Sequence, residues 1–311
     1  MKILVTGGAG YIGAITAAAL IKAGHQPVNY DLKNNQDIKD TFLLKKTFKA
    51  EKIEAVMHFA AYIEMGESVL NPQKYFDNNF LGSQCLLEAM TESGVNKIIF
   101  SSTAGVYGNP ERVPIKEDDR KQPENPYGQS KLMGEELLRF YDRTEGVRSI
   151  SLRYFNAAGA TLDGQMGEAH QPESHLIPNV IKAVLENKEF TLHGRDYPTK
   201  DGSCVRDYVH VLDLAQAHIL ALDTLANGHK TDVYNLGTGQ GYSNLEVITM
   251  IEKVSGKPVK LTIGPRRPGD ANELIADPSK FQKEFSWQPK HSDLETIVTT
   301  AWNWHKNQAT I

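Results

Sequence analysis

Residues 2–13 read KILVTGGAGYIG, an apolar run that breaks into glycines and resumes as a helix-like stretch. That order leaves few folds open. A strand must stop, the chain must turn sharply, and a helix must begin within a few residues. Gly7, Gly10 and Gly13 stand at G-x-x-G-x-x-G spacing. Glycine permits the tight turn and a close approach of backbone to a ligand. The helix N-terminus adds free N–H groups and the positive end of its dipole. A second apolar run, 26–31, ends in Asp31. A carboxylate there accepts from ribose hydroxyls and repels a 2′-phosphate, which favours NAD over NADP. A tight turn and a strand-end Asp could also arise without a ligand. The strand–turn–helix context is what favours a dinucleotide.

The rest of the chain repeats the pattern. Strand-like runs at 53–60, 96–102 and 147–155 alternate with helix-like runs at 12–23, 79–93 and 126–144. Alternation of this kind predicts an α/β fold, a Rossmann-type doubly wound parallel sheet. Continuous apolar strands such as KIIF suit a sheet covered on both faces. After residue 157 the pattern loosens. Helices are predicted near 176–187, 211–226, 243–255 and 293–306, with strands at 189–193, 232–236 and 258–263. This reads as a smaller C-terminal α/β lobe, giving domains 1–157 and 158–311, with the chain crossing back to the first around 205–240. The lobe should sit beyond the carboxyl ends of the first sheet. One segment is too short: only five residues separate Asp31 from Asp37. The third strand and helix of a doubly wound half do not fit there, so that edge should be reduced or missing.

Composition removes several function classes. Net charge is −4 with both signs interleaved, which argues against a nucleic-acid surface. No apolar run nears the roughly 20 residues of a membrane helix, so no membrane partner is expected. Two cysteines, Cys85 and Cys204, cannot build a disulfide framework and fit the reducing cytoplasm. The ten histidines include no H-E-x-x-H and no Cys/His cluster, so no metal is predicted. Residues 43–49, LLKKTFK, read as a solvated helix face, and the pair Trp302 and Trp304 as helix packing.

The chemistry concentrates near IIFSSTAGVYG and NPYGQSKLMGEELL. Thr103 puts a hydroxyl at the end of an apolar strand. Tyr127 and Lys131 stand four apart at the start of a helix, hence on one face. For a phenol to act as a base near pH 7 its pKa must fall by about 3 units, about 4 kcal/mol. A lysine ammonium about 5 Å away supplies roughly 3 kcal/mol of that at an effective dielectric of 20. Such a set suits proton removal from an alcohol while a nicotinamide takes hydride from its carbon.

Longer stretches carry a resemblance. ILVTGGAGYIG, HFAA, KYFDNN, FSSTAGVYG, PYGQSKLMGE, LRYFNAAGA, DYPTKDGSCVRDYVHVLDLA, YNLGTG and PRRPGD together cover nearly the whole chain. It resembles the extended short-chain dehydrogenase/reductase family and, within it, the UDP-glucose 4-epimerases. The resemblance implies a redox-neutral isomerase that uses NAD to interconvert UDP-glucose and UDP-galactose in galactose metabolism. Tyr127 would take the O4 proton, a transient 4-keto sugar would turn about its pyrophosphate link, and hydride would return to the other face. The UDP part stays anchored throughout.

The same resemblance assigns residues. Tyr127, Lys131 and Thr103 are catalytic. The NAD contacts are Gly7, Gly10, Tyr11, Ile12, Gly13, Asp31, Asp37, Ile38, Phe59, Ala60, Ala61, Asn78, Ser101, Tyr127, Lys131 and Tyr154. The UDP-sugar contacts are Thr103, Asn156, His175, Leu176, Arg206, Tyr208, Arg267 and Asp270. Two guanidinium forks, Arg206 and Arg267, suit a diphosphate. It also implies a homodimer built from residues near 75–93 and 128–144.

Departures matter. Ile63 stands where many relatives carry a Lys, Thr103 where many carry Ser, and Leu274 where some carry Tyr. Leu leaves more room in the sugar pocket, so an N-acetylated UDP-sugar, as in a UDP-N-acetylglucosamine or dual-specificity 4-epimerase, is an alternative substrate. A 4,6-dehydratase needs an acid pair after the Thr, and here Ala104 and Gly105 follow. A non-catalytic NAD(H) sensor on this fold would have lost Tyr127 or Lys131, and both are present.

Overall fold

The computed structural model describes residues 1–267 and 269–309. The first half runs β1 (Lys2–Thr6), α1 (Tyr11–Lys22), β2 (Gln26–Tyr30), α2 (Thr41–Glu51), β3 (Ala55–His58), α3 (Met65–Leu70), α4 (Pro72–Tyr75), α5 (Gly82–Glu92), β4 (Lys97–Thr103), α6 (Pro126–Glu145) and β5 (Arg148–Tyr154). The second runs β6 (Asn156–Ala158), α7 (Leu176–Leu185), β7 (Glu189–His193), β8 (Val205–His210), α8 (Val211–Ala226), β9 (Asp232–Leu236), β10 (Gly241–Ser243), α9 (Asn244–Ser255), β11 (Lys260–Gly264), β12 (Glu273–Leu274), α10 (Ser279–Phe285) and α11 (Leu294–Gln308).

Six strands pair in parallel in the order β2-β1-β3-β4-β5-β9. Both faces are covered, as the unbroken apolar strands require. Ile3, Val5, Met57, Ile99 and Leu152 face α8 and α10. Leu4, Val56, Ile98 and Phe100 face α2, α5 and α6. The α/β reading therefore holds, with β2 at the edge. Beyond Asp31 there is only a 3-10 turn, Leu32–Asn34, and a left-handed Asn35 before α2, which Asp40 caps. No strand lies outside β2 among the described residues, in line with the short segment after Asp31.

Helix boundaries follow local chemistry. Asn125 caps α6 by accepting from Gly128 N–H, Pro126 takes the first position, and Gly146 at φ 69° ends it. Ser243 and Glu246 form a reciprocal capping box on α9. The helix over 41–51 differs from the solvated face read at 43–49. Leu44 and Phe48 are buried in the core against α5, so only part of that stretch faces water. Trp302 packs in the core of the second half, and Trp304 donates through Nε1 to Glu168 O at 2.8 Å.

A second sheet hangs from the carboxyl end of the first. β6 continues directly from β5 and pairs with β8, which also pairs with β10 and β12. After this excursion the chain returns through α8 to place β9 beside β5. β7 and β11 form a separate parallel pair. Among the described residues no helix is long and apolar enough to cross a membrane.

Candidate active site

The glycine turn is built as the spacing demands. Gly7 adopts φ 71°, its N–H donates to Tyr30 O at 2.9 Å, and Gly10 N–H donates to Gly7 O at 3.0 Å. A β-carbon at Gly7 would stand 2.7 Å from Ala60 N, and one at Gly13 would run into the Gly7 carbonyl. No side chain caps α1 at Gly10, which leaves the N–H groups of its first turn for a ligand. Asp31 sits beside this turn, accepting from Ala9 N–H at 3.0 Å and from Lys33 N–H at 2.9 Å. Tyr11 reaches away from the turn, donating to Gly159 O at 2.5 Å. An uncapped helix start, a side-chain-free turn and an adjacent carboxylate fit a dinucleotide with free ribose hydroxyls.

Around this turn the other cofactor candidates take mixed positions. Phe59 packs at a tilt against His218 with centroids 4.8 Å apart, and Ala60 backs Gly7. Asn78 is buried in the π-helical turn Phe76–Leu81 and donates to Asn79 Oδ1 at 3.0 Å. Asn79 in turn holds Tyr62 N–H and Tyr62 O, tying the segment after β3 to α6 through Ser130. Asp37 folds back on Lys39. The Ile38 side chain packs in the core next to Gly82.

Thr103, Tyr127 and Lys131 converge at the carboxyl end of β4. The Thr103 hydroxyl accepts from Gly105 N–H at 3.0 Å and lies close enough to the Tyr127 phenol to favour its ionised form. Lys131 is buried and donates from Nζ to Ser101 O at 2.8 Å. The Ser101 hydroxyl makes a short hydrogen bond with the Tyr154 phenol.

The electrostatics differ from the sequence expectation. The Tyr127 phenol is raised above 10, not lowered: burial raises it, the Thr103 donor opposes that, and Glu64 adds to the rise. Lys131 is not among the groups that set it. The reason is that Lys131 is itself desolvated, its pKa lowered from 10.5 to about 7 by burial and only partly restored by Glu135. The ammonium that was to acidify the phenol is thus easily lost.

The substrate candidates lie on β6, β8 and the loops beside them. Asn156 donates to Asp207 O at 3.1 Å. Arg206 is fixed by Val205 O and Ala271 O, each 2.9 Å from Nη1, and its Nη2 stands 3.8 Å from Asp270. Asp270 N–H donates to Arg267 O at 3.3 Å, and the Arg267 side chain is exposed. Tyr208 is buried, its phenol pushed up to about 12 by burial against the opposing Arg206. Leu274, on β12, packs against the cluster of Ala104, Val106 and Phe155. His175, which precedes Leu176 at the start of α7, turns its Nδ1 to Glu168 and Glu173 at 2.8 and 3.0 Å. That nitrogen is committed to carboxylates and not open to a nucleotide.

Two groups escaped the sequence reading. Arg153 and Glu135 form a fully buried ion pair, with Nε–Oε1 at 2.8 Å and Nη2–Oε2 at 2.5 Å, joined by Ser102, Tyr107 and Asn235. Glu135 lies one helical turn after Lys131. His218 is buried behind Phe59 and Tyr154, with its pKa lowered to about 4 by burial. Arg153 sits in LRYFNAAGA, where only Tyr154 and Asn156 stand out as site candidates, and His218 occurs singly in a stretch with no pattern that marks a site.

A family model described as the NAD dependent epimerase/dehydratase family matches residues 3–237. The chain belongs to this family. A UDP-glucose 4-epimerase from Lactobacillus helveticus is 47% identical over 322 aligned positions, covering 99% of this chain and 98% of that protein. The alignment has more positions than this chain has residues, so that relative carries residues absent here. Among solved structures, the UDP-glucose 4-epimerase from Brucella ovis in complex with NAD superposes at a TM-score of 0.94 with 41% identity, covering 97% of each chain. The enzyme from Bifidobacterium longum in complex with NAD+ and UDP gives 0.92 with 37% identity and 99% of each. The glycine turn, the Thr103–Tyr127 pair and Lys131 all fall inside the stretch matched by this epimerase/dehydratase family.

Proposed function

We propose that the protein is an NAD-dependent isomerase, a 4-epimerase interconverting UDP-glucose and UDP-galactose. The observation that carries this reading is the meeting of Thr103, Tyr127 and Lys131 at the carboxyl end of β4, in a fold with an uncapped glycine turn and Asp31. Bound there, NAD supplies a reversible hydride acceptor for C4 of the sugar.

The chain's own residues do the rest. Gly7, Gly10 and Gly13 give the pyrophosphate room, and Asp31 takes the adenosine ribose hydroxyls. Tyr127 moves the O4 proton, and Thr103 holds the same oxygen by hydrogen bonding. Lys131 positions the cofactor ribose and supplies positive charge when protonated. Arg206 and Arg267 hold the diphosphate, with Asp270 on the uridine ribose and Asn156 nearby. Anchoring at UDP leaves the hexose free to present either face of C4. The nucleotide half corresponds to 1–157 and the UDP-sugar half to 158–311. The protein works as a homodimer in the cytoplasm.

The test is incubation with UDP-galactose, with and without added NAD+, followed by product identification. UDP-glucose should form with no net NADH. Failure to form it under both conditions defeats the reading. Leu274 is smaller than the Tyr that some relatives carry there, so UDP-N-acetylgalactosamine belongs in the same assay as a second substrate.

A further inference from the structure

Between β6 and α7 the chain runs without a regular helix or strand, yet four of its side chains meet. Glu168, His170, Glu173 and His175 each offer one ligand atom, and these atoms all lie within 4.8 Å of one another. The set draws on two carboxylates and two imidazoles spaced E-x-H-x-x-E-x-H. His170 Nδ1 and His175 Nδ1 stand 2.9 and 2.8 Å from the same Glu168 oxygen, and His175 Nδ1 stands 3.0 Å from Glu173 Oε1.

We propose that these four residues form a closed divalent-cation site of the zinc class that fastens the segment before α7. Two imidazole nitrogens and two carboxylate oxygens make a borderline donor set, suited to zinc more than to magnesium or calcium. Around a tetrahedral zinc with bonds of about 2.0–2.1 Å, ligand atoms sit about 3.3 Å apart. The separations of 2.8–3.0 Å, and the 4.8 Å ceiling on all of them, bracket that value. Only small side-chain movements separate the cluster from a coordination shell.

A second observation points the same way. The Glu173 side chain is 4% exposed, and its Oε2 is buried with no hydrogen-bond donor. Lys182 Nζ stands 3.8 Å from it. Glu168 is 6% exposed at its side chain, with two imidazole nitrogens on its Oε1. One desolvated carboxylate oxygen, Glu173 Oε2, is therefore short of a compensating donor. A dication bound in place of the imidazole protons supplies the charge. Ligation needs neutral imidazoles, so binding releases protons to solvent. Four protein ligands leave no open position, which makes the site structural. His305 on α11 faces the same carboxylates and Lys182 from the other side.

The experiment uses tag-free full-length protein. Wild type, Glu168→Gln and His170→Ala are dialysed against zinc, then against metal-free buffer, and metal per chain is measured by mass spectrometry. Wild type should retain about one zinc per chain, and both variants should retain about tenfold less. The thermal midpoint of the wild type should rise with added zinc and that of His170→Ala should not. Equal zinc in wild type and variants overturns the proposal and leaves an ion-pair network. Should the variants fail to fold, cobalt titration of the wild type decides. An intense visible band that zinc bleaches supports the site, and its absence rules the site out.

Discussion

Tyr127 is the residue whose environment is set up for proton transfer without being completed by the chain alone. Burial holds the phenol protonated, and Thr103 is the only one of the groups acting on it that favours the phenolate. Tyr127→Phe should lower turnover by about 10²–10⁴-fold while UDP binding, measured by calorimetry, stays near wild type. Unchanged turnover would reject Tyr127 as the proton carrier. Lys131 makes a different statement, about stability. Its folded pKa, lowered to about 7, lies below the ordinary 10.5, so folding disfavours the charged form. Below pH 7 the fold carries the whole cost of a buried ammonium. Between pH 7 and about 10.4 the unfolded chain binds a proton that the fold does not, and stability from this group rises with pH. In cofactor-free protein, Lys131→Met should therefore be the more stable form at pH 6, by an amount on the order of a few kcal/mol, with the gap closing towards pH 10. Urea midpoints across that range check it, and a gap independent of pH would show that the ammonium is not the cause.

At the scale of elements, α6 is held by what lies beneath it. Glu135 on α6 and Arg153 on β5 are both fully buried and satisfy each other. Glu135→Gln leaves a desolvated guanidinium without its counter-charge and should cost about 3–5 kcal/mol in urea unfolding. A loss under 1 kcal/mol would mean that water or Glu117 takes over. The edge at β2 makes a second prediction. With no strand outside it, the adenosine side is bounded only by the turn after Asp31. NAD should be lost on dialysis more readily than from the longer Lactobacillus helveticus relative, as read by bound nucleotide per chain. Stoichiometric retention would refute it. Both the parallel sheet and this missing edge were legible in the sequence, because glycine punctuation, Pro and Asn caps and unbroken apolar strands are local signals. The small sheet of β6, β8, β10 and β12 was not. Its strands run from two to six residues and are defined by pairing across long separations. At the site, the positions of Thr103, Tyr127 and Lys131 were legible from spacing, but the direction of the Tyr127 shift was not. That direction depends on how deeply Lys131 is buried, which spacing does not encode. The Glu168–His175 cluster was equally hidden, since its spacing matches no familiar metal motif.

At the scale of the whole molecule, α5 and α6 lie side by side with apolar surface left over. Phe140 on α6 is 58% exposed and Leu81, in the turn just before α5, 43%. Light scattering should give the mass of two 34.6 kDa chains, and Phe140→Asp should shift it to one. A wild-type monomer at micromolar concentration would dismiss the proposed assembly. The return of β9 to the large sheet has a consequence for how the molecule is made. As the polypeptide leaves the ribosome, the outer rim of β5 is complete but unpaired until residues 155–236 have also been translated. At ordinary elongation rates that delay is roughly 4–16 s. Throughout it, the nascent chain presents a bare row of amide and carbonyl groups, an invitation to chaperones and to neighbouring nascent chains alike.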